Sequence, residues 1–100
     1  TDSNQVISVA AILGGLYNRS GTNTNRTDTT DTAVNILAAM PDMDIGDVYM
    51  FMVGNQTANT LVIAGGTDVT ASGNLSVLTL TTKWFQLTKT SATAMTLEGF

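Results

Sequence analysis

Val48-Tyr49-Met50-Phe51-Met52-Val53 is the stretch that decides how this chain is read. Six consecutive apolar residues, rich in aromatic and branched side chains, predict a strand, and the turn Asp44-Ile45-Gly46-Asp47 leads into it. Side chains alternate across a strand, so Tyr49, Phe51 and Val53 share one face and Val48, Met50 and Met52 the other. A strand with one face in water alternates apolar with polar, and this one does not. The second face therefore needs cover from the N-terminal segment, from a helix over 32–40, or from a neighbouring subunit. Burying one Met or Val is worth about 1.5–3 kcal/mol, a large share of the ~5–15 kcal/mol that holds a small domain together.

Downstream, Gly54-Asn55-Gln56-Thr57-Ala58-Asn59 turns the chain into a second strand over 60–64, and Gly65-Gly66 and Ser72-Gly73-Asn74 mark further connections. Leu75 and Val77 have opposite parity to Leu78 and Leu80, which predicts a bulge near Val77. Trp84-Phe85-Gln86-Leu87 and Ala94-Met95-Thr96-Leu97 read as the last two strands, with Lys83 and Lys89 bracketing the first of them. Trp84 and Phe85 point to opposite faces, one to the core and one to an interface.

Upstream, Ser8 is placed to cap a short helical turn over 9–13, with Gly14 ending it in the left-handed C′ position. Leu16, Tyr17 and Asn18 extend, and Ser20-Gly21-Thr22-Asn23-Thr24-Asn25 is a loop by composition. Thr30 or Asp31 caps a second helix whose apolar face is Ala33, Val34, Leu37 and Met40, stopped by Pro41 and placed to close one end of a sandwich. The fold class expected is mainly β: a small antiparallel β-sandwich, jelly-roll-like, with one or two short helices in the N-terminal half. One hundred residues bury one core, so 1–100 is a single domain, with 1–17 a candidate N-terminal arm.

Composition excludes more than it assigns. Only 12% of residues are charged, and polarity comes from Thr, Ser, Asn and Gln, so this surface meets another protein with few ions to desolvate. A net charge of −4, with Arg19, Arg26, Lys83 and Lys89 scattered, argues against nucleic-acid binding. No apolar run approaches the ~18–20 residues that span a bilayer, so no membrane partner is expected, and the stretch 6–17 lacks the basic leader of a signal peptide.

Candidate chemistry is weak at each position. Without His or Cys, a Ser or Thr nucleophile lacks its usual base, leaving Lys83, Lys89 or an N-terminal Thr1 as remote options. Asp42, Asp44 and Asp47 around Gly46 hint at a calcium loop, but the positions that need a ligand hold Gly46 and Val53. Asp28 and Asp31 near Arg26 read as helix capping and an ordinary surface pair rather than a catalytic dyad. The sequons at Asn18, Asn25, Asn55 and Asn74 are expected by chance in so Asn- and Thr-rich a chain. No catalytic residue, metal site or cofactor is predicted, and the protein is read as a non-enzyme.

A family resemblance carries the reading further. Ile12-Leu13-Gly14-Gly15-Leu16, Thr29-Thr30-Asp31-Thr32-Ala33, Ile45-Gly46-Asp47, Phe51-Met52-Val53-Gly54-Asn55, Leu61-Val62-Ile63-Ala64-Gly65-Gly66, Val69-Thr70, Ser72-Gly73-Asn74 and Thr90-Ser91-Ala92-Thr93-Ala94-Met95-Thr96-Leu97 are its elements. Together they resemble small capsid decoration, or cement, proteins of tailed double-stranded DNA bacteriophages, from about residue 8 to 98. The resemblance implies a homotrimer on the outer surface of the virion capsid, bridging major capsid protein subunits. On that reading Val48, Met50 and Met52 are the candidate oligomer interface, and Val6, Ile7, Ile12 and Leu13 the candidate capsid-contacting arm. The rival readings are a tail-fibre or receptor-binding module, using Trp84 or the loop 18–30 against host glycans, and a carbohydrate-binding accessory domain.

Overall fold

The computed structural model describes residues 2–100; Thr1, the remote nucleophile, lies outside the described residues. The chain runs β1 (Val6–Ile7), α1 (Val9–Leu13), β2 (Leu16–Arg19), β3 (Arg26–Thr30), α2 (Ala33–Ala39), β4 (Val48–Asn55), β5 (Leu61–Ala64), β6 (Val69–Gly73), β7 (Ser76–Val77), β8 (Thr82–Lys89) and β9 (Met95–Gly99). The protein is mainly β, with its strands in two sheets of order β1-β3-β5-β7 and β2-β4-β8-β9-β6.

Both sheets are mixed, which corrects the antiparallel expectation. β1–β3, β3–β5, β2–β4 and β6–β9 are parallel, while β4–β8, β5–β7 and β8–β9 are antiparallel. The reason lies in the connections. From β1 to β8 each strand joins the opposite sheet from its predecessor, and among the described strands only β8 and β9 pair with a sequence neighbour. Turn residues such as Gly65-Gly66 therefore switch sheets rather than close hairpins, and a chain returning to a sheet after such an excursion is free to run parallel.

Inward faces of both sheets feed one core. Ile7, Leu61, Ile63 and Val77 come from the four-stranded sheet, and Phe51, Val53, Val69, Phe85, Leu87, Met95 and Leu97 from the five-stranded one. Phe51 and Phe85 face each other in register, their rings stacked with centroids 6.0 Å apart. Ile12 of α1 and Ala33 and Ile36 of α2 complete the cluster.

The local rules hold with shifts. Ser8 caps α1 by accepting the Ala11 N–H at 3.2 Å, but Gly14 stays right-handed and Gly15, at φ +86°, takes the left-handed turn. Thr32, not Thr30 or Asp31, caps α2, accepting the Asn35 N–H at 3.2 Å. This cap puts Ile36 inward and leaves Val34 exposed, so Val34 is not part of the apolar face. No bulge is needed at Val77: β7 ends there, and Leu78 and Leu80 belong to a turn closed by the Thr81 N–H to the Leu78 carbonyl at 3.2 Å. Leu80 sits at φ +56°, a left-handed conformation that costs a non-glycine residue about 1–2 kcal/mol.

Candidate functional site

The second face of β4 is uncovered. Val48 is 52% exposed and Met50 38%, with Met52 half-buried, so neither the N-terminal segment nor α2 supplies the intramolecular cover. Register explains what gathers around them. Leu16 of β2, Met52 of β4 and Trp84 of β8 lie side by side across three strands, and the Phe100 N–H donates to the Trp84 carbonyl at 3.3 Å, setting Phe100 at the row's end. Met50, Trp84 and Phe100 line an open apolar cleft of ≈ 450 Å³. Trp84 is 48% exposed while Phe85 is buried, the division that strand alternation predicts.

The same outer face turns polar across the sheet. Gln86 lies opposite Met50, Glu98 opposite Gln86, and Ser72 opposite Glu98; Thr88, Thr96 and Thr70 continue the row from Val48. The result is an apolar half over β2, β4 and Trp84, flanked by hydroxyl and amide side chains. The apolar half lies at the β2 edge of the sheet and the polar half toward β9 and β6. With aromatic side chains offering about 150–250 Å² each, Trp84 and Phe100 at roughly half exposure present on the order of 200 Å² between them. Leu16, Val48 and Met50 extend the patch to a few hundred Å², the size of the largest apolar patch on an ordinary small protein.

Sequence reasoning named Val48, Met50, Met52 and Trp84 but not Leu16 or Phe100. Phe100 was legible in principle: Thr96, Glu98 and Phe100 share one parity, which carries the last residue to the outer face. Of the expected arm, Val6 and Leu13 are exposed, whereas Ile7 and Ile12 are fully buried. β1 is bound into the sheet along β3, where the Gln5 and Ile7 carbonyls accept the Thr29 and Asp31 N–H groups at 2.9 and 3.0 Å. Ile7 and Ile12 thus cannot reach another surface without opening the core.

Asp28 corrects the surface-pair expectation. It is buried, and its Oδ2 accepts Arg19 Nε at 2.9 Å and the Tyr17 hydroxyl at 2.7 Å, while Oδ1 accepts the Gln5 N–H at 2.9 Å. Arg19 also donates to the Ser3 and Ser20 carbonyls. Burial, and then the hydrogen bond to Asp28, push the Tyr17 phenol well above its ordinary pKa. Arg26 instead pairs with Asp2 at 2.9 Å, and the Asn23 backbone N–H, with Arg26 beside it, holds the Asp2 carboxyl below the usual carboxylate range. Asp31 does not face Asp28; it accepts the Thr32 N–H and the Asn35 amide at 2.7 and 2.8 Å. Every hydrogen-bonding atom buried on the described side chains has a partner.

The remaining candidates take structural places. Asp47 accepts the Asp44 N–H at 2.9 Å in a closed turn, and the described residues contain no cluster of three or more His, Cys, Asp or Glu able to hold a metal. Lys83 Nζ donates to the Asn74 and Ser76 carbonyls and lies 5.6 Å from the Phe85 ring centre, and the loss of water there lowers its pKa. Lys89 Nζ reaches the Met43 carbonyl at 2.8 Å. Asn55 is buried, its amide donating to the Asn59 and Val77 carbonyls, so that sequon is closed in the folded protein. No described helix is long and apolar enough to cross a membrane. Set against family models, curated proteins and solved structures, the chain matches none.

Proposed function

We propose that this protein is a non-enzymatic virion component: a capsid decoration protein that binds the outer surface of a phage head as a homotrimer and stabilises contacts between major capsid subunits. A mainly β chain whose two mixed sheets share one core is compatible with the small β-sandwich that this reading expects. The observation that carries the proposal is the uncovered apolar half of the β4–β8 face, centred on Met50 and Trp84. A small domain that leaves such a patch in water gives up several kcal/mol, which association recovers. The sparse charge of the chain keeps the desolvation cost of that association low.

Location in purified particles tests the proposal. Quantitative mass spectrometry of separated heads and tails should find the chain on heads, in numbers that scale with capsid lattice positions. Recovery with tails alone would end it.

Half-exposed Trp84 beside Phe100 favours one second reading, a receptor-binding module that stacks a sugar ring on the indole. Glycan-array binding lost in Trp84→Ala, together with recovery from tails, would select it.

A further inference from the structure

The four-stranded sheet ends in two-residue strands, β1 and β7, and side chains help to close both of its edges. At β7, the Ser76 N–H donates to Asn74 Oδ1 at 3.3 Å, and the Ser76 carbonyl accepts Lys83 Nζ at 3.2 Å. At the other edge, the N–H groups of Thr27, Thr29 and Asp31 point away from β5. Thr29 and Asp31 donate to backbone carbonyls, those of Gln5 and Ile7. Thr27 lies beyond β1, whose register begins at Val6 opposite Thr29, and its N–H donates to the Asn4 side-chain oxygen at 3.1 Å.

Polar ties alone hold residues 2–5 over this edge. Asp2 meets Arg26 at 2.9 Å and the Asn23 N–H at 3.0 Å, the Ser3 carbonyl accepts Arg19, and the Gln5 N–H donates to Asp28 Oδ1 at 2.9 Å. Asp2, Ser3 and Asn4 are exposed, and the first buried apolar anchor along the chain is Ile7. The segment is therefore separable from the core. An exposed ion pair such as Asp2–Arg26 holds weakly against water, and water replaces the remaining ties when the segment lifts. Asp28 keeps its bonds from Arg19 and the Tyr17 hydroxyl, and Ile7 stays in place.

We infer that residues 2–5 are a releasable strap that keeps the outer edge of β3 from pairing with the same edge of a second copy. An uncovered strand edge is a template for another strand, and a covering segment is one way to blunt it. The second copy is the partner because this edge complements itself. An antiparallel pairing centred on Thr27 exchanges two backbone hydrogen bonds between the two Thr27 residues and sets each Arg26 opposite the other copy's Asp28. Lifting the strap frees Arg26 from Asp2 and Asp28 Oδ1 from Gln5, the two groups that such a pairing brings together. Neither the β4–β8 face nor a capsid enters this inference, so absence from phage heads leaves it standing.

The test carries Met50→Lys and Met52→Lys in every protein compared, so that association at the β4–β8 face does not mask the edge. Asp2→Lys with Asn4→Ala then lifts the strap, repelling Arg26 and removing the Thr27 acceptor. In dilute solution the Thr27 amide should exchange hydrogen roughly tenfold faster than with the strap intact, while the Phe51 and Leu87 amides keep their rates. On concentration, sedimentation equilibrium should show the mass rising toward two chains as Thr27 protection returns. An unchanged Thr27 rate would overturn the inference, as would a chain that stays single or a mass gain that leaves Thr27 exchanging freely. The unchanged chain gives a second reading. Its Thr27 exchange should respond to urea more weakly than that of Phe51 and Leu87, since lifting the strap exposes little surface. Equal urea dependence would mean that the strap leaves only with the whole fold, and would equally end the inference.

Discussion

Arg19 and Asp28 join the two sheets through the interior, guanidinium to carboxylate at 2.9 Å, with Arg19 on β2 of the five-stranded sheet and Asp28 on β3 of the four-stranded one. Both are buried, and Asp28 gathers the Tyr17 hydroxyl and the Gln5 N–H as well. Removing one partner leaves an uncompensated charge, so Arg19→Met should cost about 3–5 kcal/mol in urea unfolding. Arg19→Met combined with Asp28→Asn keeps an acceptor for Gln5 and removes both charges. It should recover a good part of that loss, and a double variant as unstable as the sum of the singles would show that the two do not act as a pair.

Tyr17 makes alkaline stability depend on this cluster. Its folded pKa is raised, so the native state holds the phenolic proton more tightly than the unfolded chain does. The contribution is complete below the unfolded value of about 10 and declines as pH rises beyond it, because the unfolded state releases its proton first. Tyr17→Phe should cost about 1 kcal/mol at neutral pH and flatten the loss of stability above about pH 10. Denaturant midpoints with the same alkaline slope in both proteins would refute this.

Leu80→Gly should make the isolated protomer more stable. Glycine relieves the left-handed strain of about 1–2 kcal/mol but adds unfolded-state freedom worth about 0.5–1 kcal/mol, leaving a net gain near 0.5–1 kcal/mol. Urea unfolding under conditions where the chain is a monomer reads this directly. A lower midpoint would mean that the leucine packs usefully within its own protomer.

Gly99 is required by a close approach. A Cβ there would overlap the Asn74 carbonyl oxygen and press on the Phe85 ring, while the Gly99 carbonyl accepts the Asn74 N–H at 3.1 Å. Gly99→Ala should destabilise by about 1–3 kcal/mol, the usual cost of overpacking, and an unchanged thermal midpoint would show that the β9 end gives way freely.

Met50→Lys with Met52→Lys places two charges on the apolar half of the β4–β8 face. Where light scattering finds the parent chain as the proposed trimer, the double variant should scatter as one chain. A trimer mass unchanged by the substitutions would move the interface away from this face.

The legible parts of this fold are those where neighbouring residues carry the signal. The apolar run 48–53, the Ser8 cap and the Trp84/Phe85 division are local patterns, and each is found in place. β3 was not legible, because Arg26-Thr27-Asp28-Thr29-Thr30 has a charge at its inward position and reads as a polar loop. It is a strand through its parallel pairing with β1 and β5, and Arg19, nine residues earlier on the other sheet, neutralises the inward Asp28. The same holds for the helix cap at Thr32: β3 claims Thr30, so the helix begins later and turns Ile36 inward. Pairing direction was hidden for a similar reason, since a Gly-rich turn looks alike whether it closes a hairpin or crosses to the opposite sheet. At the candidate interface, β4 declared both its faces, but Leu16 and Phe100 join it only through register.

The strand-by-strand alternation between sheets has a kinetic consequence. Because β1 through β8 change sheet at every step, neither sheet is built from a continuous piece of chain. Among the described strands, the β8–β9 hairpin is the one sheet pairing that forms without first closing a loop through the other layer. Each remaining pairing carries the entropy of bringing distant segments together, which slows folding for a chain of this length. The two layers therefore arrive together, and the protein should appear in a single cooperative step with no half-assembled sheet exposed along the way.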